Sequence, residues 1–207
     1  MEDFTRLPLN DFLDQVSDRT PTPGGGGVAA AAGALACAMA KMVAGYSMGK
    51  KTEDSVRRQV EELASRLHRA DELLRASITQ DAEAYAHMTE AAKAAKDDPS
   101  KRPAYQDAIL SAIAVPMEMG ATLSAALSAM DELKDPASRY LLSDLGVAAV
   151  IAAGAAQAAG YSVRVNLREI ADPEVKAKIA GDMDAVIAHC VERRASIEAY
   201  VGEHLER

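Results

Sequence analysis

Residues 21–51 of this chain read PTPGGGGVAAAAGALACAMAKMVAGYSMGKK, and this stretch decides the fold. The apolar run that starts at Val28 predicts a helix as far as Ser47, with residues 20–27 as the loop before it. Each glycine of the run 24–27 costs about 0.5–1 kcal/mol relative to alanine, so the run indicates close backbone approach or positive φ. The first N–H groups of that helix are expected to attract an anion or the polar edge of a ligand.

The amino-acid composition favours one all-α domain. Of 207 residues, 49% are hydrophobic, but only 4% are aromatic and none is Trp. Small apolar side chains suit closely packed helices better than a β-sandwich or barrel. Because no linker divides the chain, we expect one domain over residues 1–207. We expect it to be a bundle of about six helices with an Ala/Gly-rich core, some of them long enough to favour a dimer.

Helix signals continue on both sides of the opening stretch. A short amphipathic pattern ends near Asp18, and residues 53–96 contain no Gly or Pro, which predicts one long helix. The next helix is expected to kink near Pro116. The Asp-Pro pairs at 135–136 and 172–173 match an N-cap followed by a favoured first helical residue, so each pair predicts a further helix.

Charge and short motifs exclude several classes of function. The formal net charge of −8 argues against nonspecific nucleic-acid binding, which needs a basic face. Residues 28–40 and 145–163 are too short or too rich in Ala and Gly to predict membrane spans. The four histidines lack HExxH spacing and the two cysteines lie far apart, so we expect no metal site. Few thiols and no secretory signal predict a reduced, cytoplasmic protein.

Two carboxylates interrupt apolar helix stripes. One seam of the long helix carries these residues in steps of seven: Val60, Leu67, Leu74, Asp81 and Met88. Asp144 lies on a second stripe, in the helix predicted after residue 135. A buried carboxylate is costly unless it is paired or has a raised pKa, so both aspartates are candidates for proton transfer. Asp81 could equally make a helix–helix hydrogen bond or lie where the seam has turned outward.

Basic residues form two clusters near the ends of the predicted helices. The first cluster is Lys50, Lys51, Arg57 and Arg58, and the second is Lys93, Lys96, Lys101 and Arg102. Either cluster could be a solvated helix face, which is the simpler interpretation for Arg57 and Arg58. Combined with the glycine run and the two aspartates, these cations suit a ligand with a planar polar ring and a carboxylate tail.

The order of these features resembles that of one known family. Residues 7–51, LPLNDFLDQVSDRTPTPGGGGVAAAAGALACAMAKMVAGYSMGKK, resemble the N-terminal signature of the methenyltetrahydrofolate cyclohydrolase and formiminotetrahydrofolate cyclodeaminase family. DAEAY from Asp81, the helix with Pro116, SDLGVAA from Ser143 and VRVNL from Val163 follow in the family's order. The resemblance spans nearly the whole chain. It implies an all-helical, dimeric, cytosolic enzyme that acts on the one-carbon bridge of tetrahydrofolate without another cofactor.

The resemblance also implies roles for individual residues. Asp81 or Asp144 would lie near the cationic bridge and accept a proton from the attacking water. Lys50 would protonate the departing nitrogen or, like Lys51, pair with the glutamate tail. The residues expected to bind substrate are Pro23, Gly24, Gly25, Gly26, Gly27, Lys51, Lys93, Arg102 and Asn166.

One position departs from the family's pattern. Ser162 precedes Val163 where many relatives carry Asn-Val before the later asparagine. The departure weakens any role carried over to Ser162, so Asn166 is the polar candidate on this helix.

The resemblance implies two reactions. One branch of the family adds water to 5,10-methenyltetrahydrofolate to give the 10-formyl compound, and the other closes 5-formiminotetrahydrofolate to the methenyl form and releases ammonia. Because a chain of this length lacks the transferase domain of a bifunctional histidine-degrading enzyme, we expect the reversible cyclohydrolase of one-carbon metabolism. Cyclodeaminase is the alternative, and a noncatalytic folate-binding helical dimer is a second. The expected partners are a tetrahydrofolate derivative and a second copy, with no nucleic acid and no membrane.

Overall fold

The computed structural model describes residues 3–49 and 52–205, which fold into six α-helices and no strand. The helices are α1 Leu9–Ser17, α2 Gly25–Ser47, α3 Asp54–Asp97, α4 Arg102–Leu133, α5 Leu142–Asn166 and α6 Pro173–Leu205. Short 3₁₀ helices flank them at Phe4–Arg6, Pro99–Lys101, Arg139–Leu141 and Leu167–Glu169. The all-α bundle expected from the composition is confirmed.

The Ala- and Gly-rich helices α2 and α5 pack against each other at the centre of the bundle. Helix α2 also packs on α3, helix α5 also contacts α4 and α6, and α3 packs on α4. Alanines on the contact faces are fully buried, among them Ala30, Ala36, Ala40, Ala148 and Ala152. Such small side chains let helix axes approach closely, which explains why so few aromatic residues suffice for this core.

Helices α2 and α5 run antiparallel, and this places the site at one end of the bundle. At one end, the hydroxyl of Ser47 in the last turn of α2 accepts a hydrogen bond from the N–H of Ser138, just before α5. At the other end, Gly25 in the first turn of α2 and Asn166 in the last turn of α5 line one cavity.

Helix α3 carries a buried carboxylate that the heptad count did not pick out. Asp71 is 3% exposed and lies at the contact between α2 and α3. Its Oδ2 accepts a hydrogen bond from Lys41 Nζ at 2.8 Å, and its Oδ1 accepts one from Arg75 Nε at 2.7 Å. Burial raises the pKa of Asp71, but the hydrogen bonds and charges of Lys41 and Arg75 outweigh burial and hold the pKa below its ordinary value. The ion pair between Lys41 and Asp71 joins α2 to α3, and Arg75 pairs with Asp71 within α3.

Two expected helix starts are wrong. Helix α2 begins at Gly25, inside the predicted loop, because the N–H of Val28 already donates to the carbonyl of Gly24 at 3.0 Å. Residues 134–136 form a turn, and α5 begins only at Leu142. The N–H of Ala137 donates to the carbonyl of Leu133 at 2.9 Å and closes the end of α4, so the Asp-Pro pair there caps no helix.

One other local expectation is confirmed by the backbone. Asp172 caps α6, since its Oδ1 accepts hydrogen bonds from the N–H groups of Glu174 at 2.8 Å and Val175 at 3.2 Å. This confirms the second Asp-Pro signal. Pro116 lies inside α4, which continues through it from Arg102 to Leu133, and the expected kink there stays a prediction.

Three segments are long and apolar enough to cross a membrane, judged by length and composition alone: Gly25–Ser47, Pro99–Leu133 and Arg139–Glu169. The sequence predicted that residues 28–40 and 145–163 are too short or too rich in Ala and Gly to span a membrane. Judged by length and composition alone, this prediction is wrong. Within the apolar windows of these segments, 56%, 44% and 44% of the residues are buried inside the bundle. About half of each window lies on the surface of the single chain.

Candidate active site

A cavity of about 450 Å³ opens where α2 begins and α5 ends. Its volume is in the range of small-molecule sites. The chain segment before α2, the middle of α3, the start of α4 and the end of α5 all contribute to its wall. The lining residues are Pro21, Thr22, Gly24, Gly25, Gly26, Asp81, Tyr85, Met88, Tyr105, Ala112, Ser162, Val165, Asn166 and Glu169.

Asp81 caps helix α2 from a neighbouring helix. The N-cap residue of α2 is Gly24, which has no side chain to accept a hydrogen bond. Asp81 Oδ2 accepts one instead from the N–H of Gly27, at 3.1 Å. A carboxylate at a helix N-terminus is favoured by the helix dipole. Asp81, the residue that interrupts the apolar seam of α3, therefore contacts the glycine run.

At the glycine run, the backbone of α2 packs directly against the carboxylate of Asp81. A Cβ atom at Gly26 would overlap the carboxylate group of Asp81. No described glycine has positive φ, so close approach, and not an unusual backbone conformation, explains glycine at position 26. At Gly25 a Cβ atom would meet nothing within 4 Å. This residue faces open space at the cavity wall.

The surroundings of Asp81 suit a general base. Burial raises the pKa of Asp81, and the hydrogen bond from Gly27 opposes this rise without cancelling it. Its Oδ1 has no hydrogen-bond partner among residues 3–49 and 52–205. The N–H groups of Gly25 and Gly26 likewise make no hydrogen bond within that part of the chain. A carboxylate oxygen and two N–H donors thus stand ready for a ligand or a water molecule.

The opposite wall is held together by contacts of α4 with the last residue of α5 and with the 3₁₀ helix that follows it. The hydroxyl of Tyr105 donates to Glu169 Oε2 at 3.3 Å, and Asn166 Nδ2 donates to the carbonyl of Ala112 at 3.4 Å. Gln106 Nε2 donates to the carbonyl of Glu169 at 3.0 Å. Burial, and then the charge of Glu169, raise the pKa of Tyr105. Tyr105 is therefore held as a neutral hydrogen-bonding group at the wall.

Charge is separated along the cleft between α3 and α4. Among the described residues, the 450 Å³ cavity is lined by two carboxylates, Asp81 and Glu169, and by no lysine or arginine. A second cavity, of about 570 Å³, shares Tyr105 with the first and is lined by Lys96 and Arg102 and by no carboxylate. One end of the cleft therefore suits a cation and the other end suits an anion.

The structure brings six of the twelve residues proposed from the sequence to the walls of this cleft. Gly24, Gly25, Gly26, Asp81 and Asn166 line the first cavity, and Arg102 lines the second. Pro23 and Gly27 lie just behind the wall, where a Cβ at position 27 would be 3.5 Å from the Cβ of Pro23. The expectations for Lys50 and Lys51 concern residues outside the described ranges. None of these placements tests a catalytic role.

Two proposed residues lie elsewhere. Lys93 is exposed on α3 and lines neither cavity. Asp144 lies in the first turn of α5, whereas Asn166 ends that helix. These 22 residues correspond to about 33 Å along the helix axis, so Asp144 does not reach the cavity of its own chain.

Sequence reasoning missed several residues of the wall: Tyr85, Met88, Tyr105, Ser162 and Glu169. Tyr85 and Met88 follow Asp81 at helical spacing, and this pattern would have predicted a shared face with Asp81. Tyr105 and Glu169 meet only through tertiary packing, and nothing in the sequence pairs them. Ser162 lines the cavity although its departure from the family pattern argued against it. Among the described residues, no group of three or more His, Cys, Asp or Glu side chains could hold a metal ion.

The sequence profile of the formiminotransferase-cyclodeaminase family matches residues 8–185. The matched region includes every residue that lines the two cavities. The chain belongs to the formiminotransferase-cyclodeaminase family. The resemblance noted in the sequence is confirmed.

Named relatives fall into two groups. The chain is 34% identical over 174 residues to the formimidoyltransferase-cyclodeaminase of Mus musculus, an alignment that covers 82% of this chain and 32% of that protein. The chain thus spans about a third of the length of this relative. It is 25% identical over 184 residues to the methenyltetrahydrofolate cyclohydrolase of Methylorubrum extorquens, covering 87% of this chain and 88% of that protein.

The fold of this family member also matches a solved structure. The formiminotetrahydrofolate cyclodeaminase of Thermotoga maritima superposes with a TM-score of 0.87 at 28% sequence identity. The match covers 96% of this chain and 97% of the Thermotoga chain. The helical arrangement described here is therefore that of the cyclodeaminase fold.

Proposed function

We propose that this chain is a methenyltetrahydrofolate cyclohydrolase, which hydrolyses 5,10-methenyltetrahydrofolate to 10-formyltetrahydrofolate in a reversible reaction. The observation that carries the proposal is the separation of charge along one cleft. The methenyl bridge is cationic, and the carboxylates of Asp81 and Glu169 line the cavity that would receive it. The glutamate tail of the substrate is anionic, and Lys96 and Arg102 line the adjoining cavity.

Asp81 is the proposed general base. Its raised pKa brings it closer to neutral pH, where a carboxylate base is most effective. Water adds its oxygen to the bridge carbon and gives one proton to Asp81, which leaves a neutral tetrahedral carbon between N5 and N10. Asp81 then returns that proton to N5 as the bond from N5 to carbon breaks. The hydroxyl proton goes to solvent as the formyl group forms on N10.

The proposed orientation of the substrate rests on the positions of side chains along α3. Asp81, Tyr85 and Met88 line the first cavity, and Lys96 lines the second on the same helix. Asp81 and Lys96 are separated by 15 residues, about 22 Å along the helix axis. An elongated ligand with a bicyclic ring at one end and carboxylates at the other could span this distance. The proposed steps use only the folate substrate, water and side chains of this chain.

A formiminotetrahydrofolate cyclodeaminase is the second candidate. It is favoured by the match to the Thermotoga maritima enzyme over 97% of that chain and by the higher identity to the mouse relative. The same geometry serves this reaction. Asp81 would take the proton of N10 as N10 attacks the carbon of the protonated formimino group, and would then pass that proton to the resulting amino group, which leaves as ammonia and yields the cationic methenyl bridge. Both reactions pass through a tetrahedral carbon between two folate nitrogens, so one cavity can accommodate either.

The test is to incubate purified protein with each substrate and follow the absorbance of the methenyl compound. Cyclohydrolase activity makes the absorbance of added 5,10-methenyltetrahydrofolate fall faster than without protein. Cyclodeaminase activity makes the same absorbance appear from 5-formiminotetrahydrofolate, with release of ammonia. Folate binding without turnover of either substrate would overturn the proposal and indicate a noncatalytic folate-binding protein.

A further inference from the structure

The two cavities of the cleft meet at Tyr105. Among the described residues, Tyr105 is the one side chain that lines both of them. The carboxylates of Asp81 and Glu169 line the first cavity only, and the cations of Lys96 and Arg102 line the second only. The junction therefore separates an acidic end from a basic end, and a ligand that occupies both ends must pass Tyr105.

The α3 side of this junction is made of small side chains. Helices α3 and α4 pack on each other and are joined by residues 98–101 alone, so the last turns of α3 lie beside the first turns of α4. On the α3 side, the lining changes from Met88 in the first cavity to Ala92 and Ala95 in the second. A tyrosine and two alanines around one opening leave room for a flat, uncharged group between the helices.

Hydrogen bonds hold Tyr105 at the junction. Its hydroxyl donates to Glu169 Oε2 at 3.3 Å. The next residue, Gln106, fixes the backbone behind it: Nε2 donates to the carbonyl of Glu169 at 3.0 Å, and Oε1 accepts from the N–H of Ala171 at 2.9 Å. Burial, and then the charge of Glu169, raise the pKa of Tyr105, so the ring stays neutral. Tyr105 thus offers an oriented, uncharged aromatic surface between two charged regions.

The junction corresponds to the middle of an elongated ligand. Met88 and Ala92 follow Asp81 by 7 and 11 residues, which places them about 10 Å and about 16 Å further along the axis of α3. Lys96 lies about 22 Å from Asp81 on the same scale. A group at the junction is therefore neither the reacting end near Asp81 nor the anionic end near Lys96, but the part that connects them.

We propose that Tyr105 stacks on an aromatic ring in the middle of the ligand, so that the cleft selects ligands in which an aryl group joins a cationic heterocycle to carboxylates. Aromatic rings attract each other in offset-stacked or edge-to-face arrangements. A rigid ring also loses less conformational freedom than an alkyl chain when it enters a narrow space. The identity of the ring rests on the proposed function: in a folate it is the p-aminobenzoyl group, which joins N10 of the bridge to the glutamate tail.

The test uses two small fragments whose binding needs no turnover. N-benzoylglutamate and N-cyclohexanecarbonylglutamate carry the same anionic tail, but only the first has an aromatic ring. In isothermal titration calorimetry we expect wild-type protein to bind the benzoyl compound about two- to tenfold more tightly than the cyclohexane compound. Tyr105→Leu should lose this preference, because leucine fills the junction without a flat face, and Tyr105→Phe should keep it, because the ring remains.

Tyr140→Leu is the matched control for these titrations. Tyr140 is 95% exposed and lines neither cavity, so the same change of side chain there should leave the preference for the benzoyl compound as in wild type. Loss of the preference in Tyr140→Leu as well would show that it does not arise at the junction, and would overturn the role of Tyr105.

Turnover gives a second readout, which a merely structural role would not move in the same way. Tyr105 would contact the substrate away from the reacting bridge, and hence equally in the ground state and the transition state. Tyr105→Leu should therefore raise the KM for the folate substrate about two- to tenfold, with a smaller change in kcat. Tyr105→Phe should recover most of this loss. A fall in kcat at unchanged KM would overturn the proposed contact.

Failure of this inference and failure of the proposed function give different results. Equal preference for the benzoyl compound in wild type and Tyr105→Leu, or none in wild type, would overturn the role of Tyr105 even in a protein that turns over folates. A preference that depends on Tyr105, in a protein that turns over neither folate substrate, would contradict the proposed function and support an aryl carboxylate ligand of another kind.

Discussion

A Cβ atom at Gly26 would occupy the space of the carboxylate of Asp81. The same carboxylate accepts a hydrogen bond from the N–H of Gly27, in the next position of the chain. The glycine run and Asp81 therefore form one unit: the side chain caps α2, and the missing side chain at Gly26 makes room for the cap. This unit links the stability of the helix start to the geometry of the candidate base.

Replacing Gly26 with alanine should push the carboxylate of Asp81 away from the start of α2. The added methyl group forces Asp81 or the start of α2 to move, and such overpacking costs about 1–3 kcal/mol. We expect Gly26→Ala to unfold at lower urea concentration and to lose most of its turnover. Gly25→Ala is the control for stability, because its methyl group meets nothing within 4 Å and should leave the unfolding free energy unchanged or higher. Equal stability of the two variants would contradict this account of the contact.

Replacing Asp81 with asparagine should lower activity and raise stability. Asparagine keeps an oxygen that accepts from Gly27 but cannot take a proton, so we expect turnover to fall by about 10²–10⁴-fold. Burial raises the pKa of Asp81 in the folded state, so its charged form opposes folding at neutral pH. The melting temperature of Asp81→Asn should therefore exceed that of wild type at pH 7.

The pH dependence of this difference checks its cause. The stability associated with protonated Asp81 is fully present below the unfolded-state pKa, near the ordinary value of 3.8, and is lost as pH rises through the higher folded-state pKa. Thermal melts from pH 3 to pH 7 should thus show the melting temperature of wild type dropping further below that of Asp81→Asn as pH rises. A constant difference across this range would mean that the charge of Asp81 is not responsible.

The long helix and its interrupting aspartate could be predicted from sequence because both depend on local periodicity. The seam of α3 packs as counted, with Val60, Leu67 and Leu74 fully buried, and Asp81 leaves it only where the cavity opens. The start of α2 could not be predicted in the same way. Its cap comes from Asp81, 54 residues later in the chain, so no local signal at the glycines marks the first helical residue.

The two Asp-Pro pairs also show that a local sequence signal does not by itself decide where a helix begins. Asp172 caps a helix, whereas residues 134–136 form a turn. The difference lies in tertiary contacts: Ser138, just after the turn, donates its N–H to the hydroxyl of Ser47 at the end of α2. The position of Asp144 was also beyond a single-sequence argument, because helical periodicity gives the face of a residue but not which end of the bundle carries the cavity.

Removing the cations of the second cavity should weaken substrate binding without changing the chemical step. In the double variant Lys96→Ala/Arg102→Ala we expect the KM for the folate substrate to rise about tenfold, as two charge-assisted contacts to the glutamate tail are lost, with kcat little changed. Lys101→Ala is the control, since Lys101 is a nearby exposed cation that lines neither cavity. A fall in kcat at unchanged KM would show that the second cavity does not hold the tail.

Removing Asp71 should destabilise the fold through the contact between α2 and α3. Asp71→Ala leaves Lys41 and Arg75 without their shared carboxylate. Because these two cations are 31% and 53% exposed and stay solvated, we expect a loss of about 1–3 kcal/mol, as for hydrogen bonds to charged groups. The pKa of Asp71 is held below 3.8 in the folded state, so its contribution is present above the unfolded-state value and is lost as pH falls through the folded-state pKa. Urea unfolding at pH 7 and at pH 3 should show a smaller difference between wild type and Asp71→Ala at the lower pH.

Asp182→Ala is the matched control for this prediction, because Asp182 pairs with Lys178 at 2.8 Å on the exposed surface of α6. Side chains of this pair are 53% and 76% exposed, and such surface pairs contribute little to stability because solvent screens the two charges. We therefore expect Asp182→Ala to unfold close to wild type at both pH values. If the two alanine variants were equally stable, the ion pairs of Asp71 would contribute no more than a surface pair, and the packing of α2 on α3 would depend on apolar contacts alone.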